Sequence, residues 1–139
     1  MPEVTFAQVK VGDAIPDLTL PPVKRATLAL FAGASGDHNP IHIDIDFAKK
    51  AGMPDVFAHG MLGMAWLGRL LTNWVPQAQL RSWSVRFQGI THLGDVITCS
   101  GRVVDKSEQD GEQRVKLEIR SANQVGEPKT AGEAIIALP

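Results

Sequence analysis

Between His59-Gly60 and about Trp74 runs the longest helical pattern in the chain, and it leaves almost no polar side. Met61, Leu62, Ala65, Leu67, Leu70, Leu71 and Trp74 cover most of the circumference. The spacing therefore predicts a helix buried on nearly all sides, not one lying on a surface. Gly63 and Gly68 lower helix propensity by roughly 1 kcal/mol each relative to alanine, which fits a place where another backbone or a ligand approaches closely. After Pro76 the helical period gives way to alternation. LRSWSVRF sets Leu80, Ser82, Ser84 and Arg86 against Arg81, Trp83, Val85 and Phe87. VITCSGRVV follows, then RVKLEIRSAN with Val115, Leu117 and Ile119 on one face, then TAGEAIIAL. Turn signals separate these runs at 92–95, 108–112 and 126–128. Four strands joined by short turns predict an antiparallel meander with one face buried. One long apolar helix with one such sheet makes an α+β architecture, the helix lying inside the curvature of the sheet.

The 139 residues suit one compact domain, 1–139, with no repeat or linker to divide it. The opening VKVGDAIPDLTL reads as extended, and Pro21-Pro22 delays the first helix. From Lys24, Leu28, Phe31, Ala32 and Ser35 share a helical face, and Gly33 and Gly36 blur its end. A short helix, DFAKKAG, is capped by Asp44 or Asp46 and closed by Gly52. Composition excludes several classes. Hydrophobic residues are 44% and charged residues 21%, with net charge −1 and scattered Lys and Arg. This is neither a disordered chain nor a nucleic-acid-binding surface. MPEVTFAQVK lacks the order of a secretory signal. The most apolar region, 58–71, is broken by His59, several glycines and Arg69, so no membrane span is expected. A lone cysteine, Cys99, excludes an intramolecular disulfide framework, and the expectation is a cytoplasmic protein.

GDHNPIH, residues 36–42, packs an acid, an amide and two imidazoles around a proline. A metal site is the first reading to weigh. His38 and His42 are four apart, but zinc histidines at that spacing need a continuous helix, which Pro40 forbids. No cysteine cluster or third histidine lies nearby, so no metal is expected. A plain turn is the second reading, because Asp and Asn ahead of proline bond their own backbone. Against stopping there stands His59-Gly60, which opens the long helix. A helix start offers free N–H groups and the positive dipole end, suited to a developing oxyanion. An acid and an imidazole facing such donors make a workable proton-transfer site.

FAGASGDHNPIHIDIDFA, residues 31–48, resembles the hydratase-2 motif of MaoC-like dehydratases, which include the (R)-specific enoyl-CoA hydratases. Phe31, Ser35, Gly36, Asp37, Asn39, Pro40, Ile41, His42, Asp44, Phe47 and Ala48 fit it. AHGML, residues 58–62, matches the companion motif at the expected distance. The resemblance implies a hot-dog fold, a long helix wrapped by an antiparallel sheet. It also implies homodimers or higher homo-oligomers, with acyl tunnels near the interface. By position it makes Asp37 and His42 a catalytic dyad and gives Gly60 the N–H that binds the thioester oxygen. Asn39 then orients the turn and the reacting water, and Ser35 lies within the same motif. The implied enzyme is a hydro-lyase that hydrates 2-enoyl thioesters or dehydrates (R)-3-hydroxyacyl thioesters. No cofactor is implied; coenzyme A or an acyl carrier arm enters only as part of the substrate.

Some relatives carry a serine further along the central helix, whereas Ala65-Trp66-Leu67-Gly68-Arg69 offers no hydroxyl. Trp66 is expected in the core or shortening the tunnel, and Cys99 in the core. Met61 and Met64 are expected in the core or lining the tunnel, and His38 and His92 in solvent. His59 is expected to orient the Gly60 turn. Arg81, Arg86 and Arg102 belong to a solvated sheet face, unless one meets a substrate phosphate. Two rival functions remain at this level: a hot-dog acyl-CoA thioesterase, and a non-catalytic partner subunit of a dehydratase complex.

Overall fold

The computed structural model describes residues 2–139. Its longest helix, α3 (Gly60–Trp74), stops where Pro76 begins the chain's change to strands. Before it come β1 (Ala14–Thr19), α1 (Arg25–Ser35) and α2 (Ile45–Lys50). After it come β2 (Leu80–Phe87), β3 (Thr98–Gln109), β4 (Glu112–Ala122) and β5 (Pro128–Ala137). Asp44 caps α2, its carboxylate accepting the amides of Asp46 and Phe47. Gly52 follows at φ 87°, the left-handed turn a helix end favours.

The five strands form one antiparallel sheet in the order β1-β3-β4-β5-β2. The hairpin between β3 and β4 turns at Asp110-Gly111, both with positive φ, as a tight hairpin turn requires. The expected meander therefore holds for β3, β4 and β5 but not for β2. LRSWSVRF does not pair with its successor; it crosses to the far edge and pairs with β5, Trp83 opposite Ala134 and Phe87 opposite Thr130. The extended opening supplies the fifth strand, β1, on the other edge.

α3 packs against all five strands. Leu62, Trp66, Leu67, Leu70 and Leu71 meet the inward face of the sheet, where Val103, Val115, Leu117, Ile119 and Ile136 are buried. Fully burying each such side chain is worth about 1.5–3 kcal/mol, so this seam anchors the helix. The helix is not buried all round, however. Met61, Ala65 and Arg69 form an exposed stripe at helical spacing. A sheet wraps only one side of a helix, so apolar composition overstates the burial that one chain provides. Gly68 is where the sheet comes closest: a Cβ there would lie 3.2 Å from the Trp83 ring. Cys99 is fully buried, and burial pushes its thiol up to about 12, leaving it inert as expected.

Candidate active site

The turn after α1 is built by its own polar side chains. Gly36, at φ 78°, ends the helix. The Asp37 amide then donates to Ser35 Oγ at 3.2 Å, the Asn39 amide to Asp37 Oδ1 at 3.2 Å, and the Ile41 amide to Asn39 Oδ1 at 3.1 Å. Each side chain holds the amide two residues ahead, the local bonding that Ser, Asp and Asn favour in turns. Pro40, at the start of a helical turn Pro40–His42, leaves no stranded donor. The result carries His42 inward, 8% exposed, and leaves Asp37 and His38 exposed.

His42 Nδ1 lies 2.7 Å from the Phe57 carbonyl oxygen. A carbonyl only accepts, so Nδ1 carries a proton, and in the neutral ring Nε2 is the bare nitrogen. Nε2 lies 3.9 Å from Asp37 Oδ2. The Phe57 carbonyl is held in place by a bridge between Phe57 and His92 and by the Ala58 amide donating to Thr91 O at 2.9 Å. Immediately beyond, His59 and Gly60 open α3. The Gly60 amide has no acceptor among the described residues, as expected for a first-turn donor. The Phe87 ring stands over Gly60, so a Cβ there would come within 3.3 Å of it.

A further histidine does lie beside Asp37 and His42, contrary to the sequence reading. His59 is 2% exposed, and its ring stacks on that of His42, centroids 4.0 Å apart at 27°. Its Nε2 lies 3.2 Å from the Asp37 carbonyl oxygen. Burial first, and the neighbouring His42 second, lower its pKa. Asp37, His42 and His59 thus offer ligating atoms within 4.8 Å of one another. His59 Nε2 is committed to the Asp37 carbonyl, which leaves Nδ1 as that ring's free nitrogen.

A cavity of about 310 Å³ begins at His59 and Gly60 and runs under α3 to the sheet. Trp66 and Ile97 give it apolar walls, so Trp66 serves both core and cavity. Met61 is neither core nor lining; it is 56% exposed, on the outward stripe of α3. Sequence reasoning missed the polar lining of Ser121, Lys129 and Thr130. Ser121 and Thr130 bond each other through their hydroxyls. Lys129, 5% exposed, donates to Ile90 O at 2.6 Å and lies 3.9 Å from Asp95 Oδ2. Asp95 in turn accepts the His92 amide. This buried pair fixes segment 88–95, the segment that holds residues 57–58. Arg81 and Arg102 are engaged by Glu112 and Glu118.

An antiparallel sheet wrapped round one helix is a hot-dog fold, and here a carboxylate and an imidazole stand beside that helix's N-terminus. Residues 8–125 match the MaoC like domain, and the chain belongs to that family. It is 28% identical over 132 residues to the mitochondrial 3-hydroxyacyl-[acyl-carrier-protein] dehydratase of Arabidopsis thaliana, covering 94% of this chain and 78% of that protein. It is 30% identical over 116 residues to the (R)-specific enoyl-CoA hydratase of Aeromonas caviae, covering 82% and 85%. The solved R-hydratase PhaJ1 of Pseudomonas aeruginosa superposes with a TM-score of 0.87 at 29% identity, over 99% of this chain and 86% of that one. The chain spans only 6% of fungal fatty acid synthase beta subunits that it also matches. No helix among the described residues is long and apolar enough to cross a membrane.

Proposed function

We propose that this protein adds water to 2-enoyl thioesters and removes it from (R)-3-hydroxyacyl thioesters, with Asp37 and His42 as the dyad. The observation that carries this is the 3.9 Å gap between His42 Nε2 and Asp37 Oδ2. It is too long for a direct hydrogen bond and the right width for one water or hydroxyl oxygen to bond both. The bare Nε2 takes a proton as the water oxygen bonds to carbon 3. That proton goes to carbon 2, so the elements of one water are added and nothing is left over. Gly60 N–H receives the thioester oxygen as it gains enolate charge. Positioned acid–base groups contribute about 10²–10⁴ in rate and one oxyanion donor about 10²–10³, together enough for a useful enzyme without a cofactor. The (R) configuration is supported by the names of the relatives.

Two copies are expected to associate. The exposed apolar side chains of Phe87 and Ile90 line the cavity, Met61 stands exposed on α3, and β2, which carries Phe87, leaves a free sheet edge. Asp37→Asn and His42→Ala are each expected to lower hydration of a short enoyl-CoA by several orders of magnitude while circular dichroism stays unchanged. Wild-type turnover by either variant rejects the proposal. Release of free thiol, read with a thiol-reactive dye, would instead mark a thioesterase. Activity that appears only on adding a second subunit would mark a partner chain.

A further inference from the structure

The proton-transfer scheme leaves His59 without a role, yet it touches both Asp37 and His42. Its Nε2–H donates to the Asp37 carbonyl, one face lies on His42, and the edge-to-face contact of Phe31 closes it off at 4.8 Å. One residue on is Gly60. Its Nδ1 is a buried acceptor with no partner among the described residues. An unmatched acceptor disfavours burial, so the ring is held there against that penalty by its other contacts. It does not cap α3, since its side chain makes no cap bond.

We propose that His59 is a positioning residue: it sets the span between the Asp37 carboxylate and His42 Nε2, and lays a neutral ring against the imidazolium that His42 becomes. The proposal rests on the hydratase reading above. Geometry argues for both parts. The Asp37 carbonyl is tied to the start of α3 by this one side-chain bond, while the other side-chain tie, His42 to the Phe57 carbonyl, lies at the far end of the turn. A ring stacked at 4.0 Å also holds the plane of His42 from one face, beside the edge-on Phe57 ring at 5.2 Å and the bond to the Phe57 carbonyl. Burial and the neighbouring His42 lower its pKa, which favours the uncharged ring.

Two variants separate the parts. His59→Phe keeps a flat ring against His42 and Phe31 but loses the donor. His59→Gln keeps a donor but loses the face. In both, kcat on an enoyl-CoA is expected to fall about 10- to 100-fold, the scale of a small misplacement of reacting groups, with KM held within about threefold. The ring-nitrogen NMR signals of His42 are expected to shift in both, while unfolding stays cooperative. Wild-type kcat in both variants, or a loss that only tracks the folded fraction, overturns the proposal. If the wild-type chain turns over no enoyl thioester, the hydratase reading fails by itself. The nitrogen spectra then decide: shifted His42 signals support the positioning role, and unmoved ones overturn it.

Discussion

Asp37 Oδ1 holds the Asn39 amide while Oδ2 faces His42 across 3.9 Å. An asparagine at 37 retains an acceptor for the first task and presents an uncharged amide for the second, so that variant separates chemistry from scaffold. Gly60 admits a similar separation. Proline is tolerated at the first position of a helix, and the preceding His59 already has the extended angles, φ −60° and ψ 138°, that proline imposes on its predecessor. Gly60→Pro is expected to preserve α3 while removing the N–H, lowering kcat about 10²–10³-fold. Gly60→Ala, which keeps the N–H and only presses on the Phe87 ring, is the control; steady-state kinetics of the two compare directly. His59 predicts a pH effect. Its native pKa lies below the usual 6.5, so the native state binds fewer protons than the unfolded chain as pH falls through that value. Its contribution to stability is complete above about 6.5 and is lost toward the depressed value. The thermal midpoint of the wild type is expected to fall more between pH 7 and about 5 than that of His59→Phe. Equal falls would contradict it.

At the scale of elements, two glycines make opposite predictions. A Cβ on Gly132 would lie 1.8 Å from the Ser84 carbonyl oxygen and 2.8 Å from Val85 Cα. These are main-chain atoms of β2 that cannot swing aside. Gly132→Ala is expected to exceed the roughly 1–3 kcal/mol of ordinary overpacking. Gly33, inside α1, has nothing within 4 Å of its would-be Cβ; Gly33→Ala is expected to stabilise by up to about 1 kcal/mol. Urea unfolding reads both. The same elements show what the sequence could carry. α3, the inward face of Val115, Leu117 and Ile119, and an acidic cap on α2 at Asp44 or Asp46 were legible because periodicity and capping are local. Ser121 and Thr130 were within reach too, since alternation from Ile119 and Gly132 carries them inward. The seat of β2 beside β5 was not. Periodicity says which face of a strand is buried but not which neighbour it takes. His59 stacks on His42 because the pairing of 57–58 with 91–92 brings them together, a contact between segments that no local pattern encodes.

For the whole molecule, the exposed stripe on α3 and the apolar mouth of the cavity bear on assembly. Met61 is 56% exposed, Phe87 54% and Ile90 41%, a concentration that favours burial by a second copy. Sedimentation is expected to return twice the 15.0 kDa of one chain, and Phe87→Asp to shift the mass toward one copy. A wild-type chain that sediments as a monomer at every concentration rejects this.

Ser35, Asp37 and Asn39 each clasp the amide two residues ahead, so the reactive turn brings its own framework in one short run of codons. A substitution at Ser35 or Asn39 is therefore expected to loosen the loop that carries Asp37 without touching its carboxylate.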